Sequence, residues 1–122
     1  MELIIQDFIE YLKSRQVSKN TLVSYERDIN QLVAHLNQID KKMVDATEAD
    51  LQNYIVYMQT IGKSNATISR SVASIKAFYK YLLKNKVIEE NITKSPIKIL
   101  KTTLEKFITF LDSFLYSIIF KL

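Results

Sequence analysis

The sequence has one glycine, Gly62, one proline, Pro96, and no cysteine. So few turn-forming residues argue against an all-β fold and favour long, uninterrupted helices. Without cysteine there are no disulfides or thiolate metal sites, which suits a reducing cytoplasm. A single histidine, His35, no glycine-rich loop and no carboxylate cluster at metal-ligand spacing leave neither a cofactor nor a metal to be expected. Met1-Glu2-Leu3 shows no basic stretch ahead of an apolar run, so no signal peptide is expected and a cytoplasmic location follows.

What is present is apolar periodicity and an uneven charge. The 122 residues are 48% hydrophobic, enough for the core of a single domain. The net charge of +4 divides sharply along the chain. Residues 1–60 hold 6 Lys/Arg against 9 Asp/Glu, and residues 61–122 hold 11 against 4, giving −3 and +7. Four helices are predicted, at about Glu2–Arg15, Lys19–Gln38, from Thr47 to a stop at Gly62, and from a Ser64 cap to about Lys86. Short connections make these one compact all-α four-helix bundle, over residues 1–88. Residues 89–99 read as a linker. Residues 100–122 read as an apolar helical tail, interrupted by Asp112 and too short in its apolar run to span a membrane. No internal repeat is evident.

The outward faces point to a partner. On the fourth helix Lys63, Thr67, Arg70, Ser74, Ala77 and Tyr81 are expected to lie farthest from the core. Lys63 to Lys86 carries six basic residues and no acid, although solvated helices usually mix signs. Small hydroxyl side chains would admit such a helix to a major groove, where Arg70 could bond a guanine edge and lysines neutralise phosphates. The second helix offers Asn20, Ser24, Arg27, Gln31 and His35, and free amides at Ser18–Thr21 suited to a phosphate. A plain basic surface is the alternative. His35 is expected to be solvent-exposed. Tyr11, Tyr25, Tyr54 and Tyr79 are read as packing residues, while Tyr57, Tyr81 and Tyr116 lack any activating base.

Several segments resemble the N-terminal core-binding domain of Xer-type tyrosine recombinases and phage integrases. They are Phe8-Ile9-Glu10-Tyr11-Leu12, Ser18-Lys19-Asn20-Thr21-Leu22, Ser24-Tyr25-Glu26-Arg27-Asp28-Ile29, Ala46 to Tyr54, Ser64 to Leu83, and Glu90-Asn91-Ile92-Thr93. Their order and spacing fit the family pattern F-x-x-Y-L, S-x-N-T-L-x-x-Y-x-R-D-L and a serine-capped helix ending F-L. The resemblance covers about residues 3–99 and implies a SAM-like bundle that clamps one face of duplex DNA with its second and fourth helices. It implies contacts from Lys19, Asn20, Thr21, Ser24, Arg27, Lys63, Ser64, Asn65, Thr67, Arg70, Ser71, Ser74, Lys76 and Lys80. Ser71 stands where many relatives carry a second arginine, and Ile92 where they carry proline.

The family's catalytic domain has two arginines, a lysine, histidines in an H-x-x-R arrangement and a nucleophilic tyrosine. This chain has three arginines, all within the bundle, and Gln38 three residues after His35. No catalytic site is therefore expected. A second reading, a helical interaction module, would pair with itself or with an intact recombinase through residues 100–122.

Overall fold

Hydroxyl side chains set where the helices begin. In the computed structural model, which describes residues 2–93 and Leu111, four helices form: α1 over Glu2–Ser14, α2 over Lys19–Gln38, α3 over Glu48–Thr60 and α4 over Asn65–Lys84. Ser18 caps α2, accepting from the Thr21 amide at 3.3 Å and donating to Thr21 Oγ1 at 2.8 Å. Ser64 does the same for α4 with Thr67, at 3.2 and 3.0 Å. Thr47 opens α3 with a full capping box, in which Asp50 accepts from the Thr47 amide at 2.8 Å and its own amide donates back at 3.2 Å. Each device occupies amides that the first turn leaves unpaired.

All four helices stop in the same way. The residue after each C-cap is left-handed: Gln16 at φ 62°, Asp40 at 55°, Gly62 at 87° and Lys86 at 58°. Its amide bonds back to a carbonyl three residues earlier, and the next amide reaches a carbonyl five residues earlier, as Val17 does to Leu12 and Val87 to Leu82. This Schellman arrangement satisfies the last carbonyls. Only one of the four positions is glycine. The sequence marks the stop at Gly62 by its glycine and places the end of α2 at Gln38, but nothing in it marks Gln16, Asp40 or Lys86 as left-handed.

These ends reveal a repeat that the residues hide. Both α1 and α3 are 13 residues long, and both α2 and α4 are 20. Every helix start and end of the first pair recurs 46 residues later in the second, as do the serine caps and the left-handed Gln16 and Gly62. The chain is thus two equivalent helix pairs, joined by residues 39–47, which include a 3₁₀ turn at Met43–Asp45.

The core lies where the pairs meet. Phe8, Ile29, Leu32, Leu36, Leu51, Ile55, Ile68, Ile75, Phe78 and Leu82 are fully buried. The α2–α4 interface is the most extensive, and Phe8 of α1 stands against Phe78 and Tyr81 of α4 at centroid distances of 5.2 Å. Each such side chain contributes about 1.5–3 kcal/mol by leaving water. Tyr79 pins the connection by donating to the Met43 carbonyl at 2.8 Å.

Beyond α4 the chain returns to the bundle. Ile88 and Ile92 pack on the core, and Thr93 is buried with its amide and hydroxyl bonded to Asn91 Oδ1 at 2.9 and 2.6 Å. The start of the expected linker is therefore docked. The expected tail at 100–122 lies, apart from Leu111, outside the described residues. Among the described residues no helix is long and apolar enough to cross a membrane.

Candidate nucleic-acid interface

The charge asymmetry resolves at one buried carboxylate. Asp28 of α2 is 0% exposed and faces α4. Arg70 donates to it through Nη2 at 2.9 Å and Nε at 3.3 Å. Ser71 donates to the same Oδ1 at 3.3 Å, and Ser74 to Oδ2 at 2.7 Å. Four donors on one carboxylate meet the requirement that a buried charge be paired and hydrogen-bonded.

This corrects the expected face of α4. Ser71 and Ser74 are 1% and 3% exposed, and they turn inward. They are small because α4 must approach α2 closely, and they are hydroxyls because Asp28 needs donors. Phe78 is fully buried, whereas Leu83 is exposed. Tyr81 is half-buried against Phe8 and Tyr11 rather than outermost. The outer stripe of α4 is instead Asn65, Ala66, Ser69, Arg70, Ala73, Lys76 and Lys80.

Arg70 belongs to both environments. Its side chain is 43% exposed, and the Asp28 pair uses Nε and Nη2. It also lines a shallow open groove of about 240 Å³ with Asn20, Thr21, Ser24, Tyr25, Ala73 and Ser74. Asn20 and Ser24 of the expected α2 stripe thus share one concavity with Arg70 and Ser74, whereas Arg27, Gln31 and His35 do not line it. Lys19, Asn20, Thr21, Arg27, Lys63, Ser64, Asn65, Lys76 and Lys80 are exposed, and Ser24 and Thr67 are half-buried. Neither α2 nor α4 has an acid in its first turn, whereas α3 has Glu48 and Asp50. The start of α2, which lines the groove, and the start of α4 therefore both lack local compensation of their partial positive charge. Among the described residues the ion pairs join Lys13 to Glu10, Lys41 to Asp50 and Arg70 to Asp28. The other candidate cations Lys19, Arg27, Lys63, Lys76 and Lys80 take part in none of them.

Residues 5–86 match the family described as phage integrase, N-terminal SAM-like domain. The chain belongs to this family. A protein named as a tyrosine recombinase in Caldanaerobacter subterraneus subsp. tengcongensis is 43% identical over 91 residues, covering 74% of this chain and 31% of the relative. Tyrosine recombinase XerD of Oceanobacillus iheyensis is 32% identical over 90 residues, 71% of this chain and 30% of that protein. Tyrosine recombinase XerC of Listeria welshimeri serovar 6b is 35% identical over 88 residues, with 70% and 29% covered. The chain spans about 30% of the length of these relatives. No solved structure matches it.

His35, expected in solvent, is half-buried between Tyr54 and Tyr57, with ring centroids 5.0 and 4.9 Å away. Its Nδ1 is buried and has no hydrogen-bond partner among the described residues. Burial holds its pKa below the ordinary 6.5, opposed by the Asp50 charge. Burial first, then the Asp28 and Tyr57 charges, push the Tyr54 phenol up to about 12. Both shifts favour neutral packing partners. Among the described residues no group of three His, Cys, Asp or Glu side chains could hold a metal.

Proposed function

We propose that this chain is the DNA-binding half-clamp of a tyrosine recombinase, seating duplex DNA against the α2–α4 groove and leaving strand cleavage to other parts of such an enzyme. The observation that carries this reading is the groove itself. Asn20, Thr21 and Ser24 from one helix and Arg70 and Ala73 from another line it together. The first turn of α2, which has no acid, borders it, and Lys19, Lys63, Lys76 and Lys80 are exposed and in no ion pair among the described residues. Backbone amides and lysines position phosphates, while Asn20 and the remaining donors of Arg70 can read base edges. The family membership supports the same conclusion, since the relatives are recombinases by name. A cytoplasmic location follows from this role.

Asp28 gives Arg70 a positioning partner as well as a stabilising one. A guanidinium held at two nitrogens loses less freedom when a base or phosphate takes the third. Ser71 and Ser74 act through Asp28, so their contribution to binding is indirect.

Titration of labelled duplexes by fluorescence anisotropy tests the reading. Binding should weaken steeply with salt, and Lys63→Ala should reduce the slope of log K against log salt by about 0.9, the value for one phosphate contact. Asn20→Ala should cost affinity with little change in that slope. If neither substitution alters affinity for any duplex at low salt, the groove is not the contact surface.

A further inference from the structure

A second cationic cluster lies outside the groove, where the ends of α1 and α4 meet. Arg15 donates from Nη1 to the Tyr11 hydroxyl at 2.5 Å, and its guanidinium carbon stands 5.4 Å from the Tyr11 ring centroid. Lys84 Nζ, from the last turn of α4, stands 5.6 Å from the same centroid. Tyr81 closes the cluster, with its ring 5.1 Å from Tyr11. Arg15 and Lys84 are both exposed.

Each cation alone has an internal explanation. A helix C-terminus favours positive charge, and a phenol face attracts a cation. Neither explains why two exposed cations gather on one half-buried ring, where they repel each other. The acids nearby do not relieve this. Glu10 pairs with Lys13 at 3.1 Å, and Asp7 acts on Tyr81, one ring away. Neither Arg15 nor Lys84 is in an ion pair among the described residues. The Arg15 hydrogen bond lowers the Tyr11 pKa most, burial opposes it next, and the Arg15 and Lys84 charges add smaller lowering effects.

We propose that Arg15, Lys84 and Tyr11 form a second phosphate site, which in the DNA-bound protein takes a backbone phosphate beyond the α2–α4 groove. The proposal rests on the DNA-binding reading above for its occupant. Position supports that occupant. Arg15 lies three residues before Ser18, the cap of the helix whose first turns line the groove. Lys84 lies fourteen residues after Arg70 on α4, or about 21 Å along the axis at 1.5 Å per residue. A duplex lying along that length carries about twelve phosphates, at one per 1.7 Å. The contact would carry no sequence information, because neither cation is held in base-reading geometry.

Two readouts on the full chain separate this site from the groove. In anisotropy titrations, the Arg15→Ala/Lys84→Ala variant should lower the salt slope by about 1 to 2, equally for unrelated duplexes. An unchanged slope with duplex still bound overturns the site. The second readout is the ¹⁵N-resolved Arg15 Nε–H signal during titration with tripolyphosphate. It should move saturably, weaken severalfold in Lys84→Ala, and be unaffected by Asn20→Ala/Lys63→Ala. Failure of the unaltered protein to bind any duplex would remove the groove reading, while a saturating Arg15 response would still uphold the phosphate site. No Arg15 response to either ligand rejects it.

Discussion

The two helix pairs have the same lengths, the same serine caps and the same left-handed stops, yet they carry different charge. Residues 2–38 hold four basic and five acidic side chains, and residues 48–84 hold five and two. The contrast is sharper between the long helices. Acids and bases balance on α2, whereas α4 has one arginine, three lysines and no acid. Geometry is shared and electrostatics are not. Shared geometry is what a stable interface requires, because Asp28 and Ser74 occupy equivalent positions and bond to each other at 2.7 Å. Equivalent residues touching across an interface is the signature of twofold-related surfaces. The charge difference is not fixed by this interface, and it leaves the second pair the more cationic.

The largest effect should come from breaking the joint between the pairs. Arg70→Ala leaves Asp28 buried with two hydroxyl partners and no counter-charge. It should destabilise the protein by about 3 kcal/mol, the low end for breaking a buried pair, because Arg70 is partly solvated. Asp28→Ala combined with Arg70→Ala should lose less than Arg70→Ala alone, since no orphan charge remains. Urea denaturation of the three variants closes the cycle. A double-variant loss equal to the sum of the Asp28→Ala and Arg70→Ala losses would mean that the pair does not couple the helices. Because Arg70→Ala threatens folding, it is a poor probe of DNA contact.

The next effect tests whether charge must sit on α4. Lys76→Ala/Lys80→Ala should lower the salt slope of duplex binding by up to about 2. The equivalent positions 46 residues earlier are Asn30 and Ala34, both exposed. Adding Asn30→Lys and Ala34→Lys to the neutralised protein restores its net charge on the other helix. The slope should stay low. Full recovery would show that net charge matters and the face does not.

How much of this could be read from the sequence follows from which signals are local. Helix starts are local, so Ser18, Thr47 and Ser64 were recognisable, and the ends of α2 matched to the residue. The family motifs were likewise contiguous, and residues 5–86 match it. The facing of α4 was not legible. Ser71 and Ser74 are polar, and a periodicity reading sends polar residues outward. Their inward turn depends on Asp28, 43 and 46 residues away. The same distance effect hid His35, which packs between Tyr54 and Tyr57 of α3. The 46-residue repeat escaped because equivalent positions share backbone roles rather than residue types, as Gln16 and Gly62 do. Of the fourteen candidate contacts, twelve are at least half-exposed, and the structure turns Ser71 and Ser74 into partners of Asp28.

A smaller effect distinguishes the pairs by pH. His35 of α2 is packed against α3, and the position 46 residues later is Tyr81, which cannot gain a proton. The folded-state pKa of His35 lies below the unfolded value of about 6.5. The unfolded chain therefore binds the extra proton first. The stabilisation is fully present above pH 6.5 and is lost as pH falls through the folded pKa. Thermal melts between pH 7.5 and 5 should show a falling Tm, and His35→Phe should flatten that part of the profile. Since His35 is the only histidine, a fall that persists in the variant would assign the dependence to carboxylates.

The smallest effect comes from the helix stops, where the pairs do the same job with different residues. Gln16 and Gly62 are equivalent, and both are left-handed. A side chain in that region costs about 1–2 kcal/mol, and glycine gives back about 0.4–1 kcal/mol through the greater freedom of the unfolded chain. Gln16→Gly should therefore stabilise by about 0.5 kcal/mol, and Gly62→Ala should destabilise by a similar amount. A Cβ at Gly62 would meet nothing within 4 Å, so its loss would reflect backbone strain alone. Urea midpoints for the two variants and their combination should cancel to near the starting value, because the sites lie in separate connections. A large loss in Gln16→Gly would show that the Gln16 side chain supports the α1–α2 turn, and the two stops would then not be equivalent in energy.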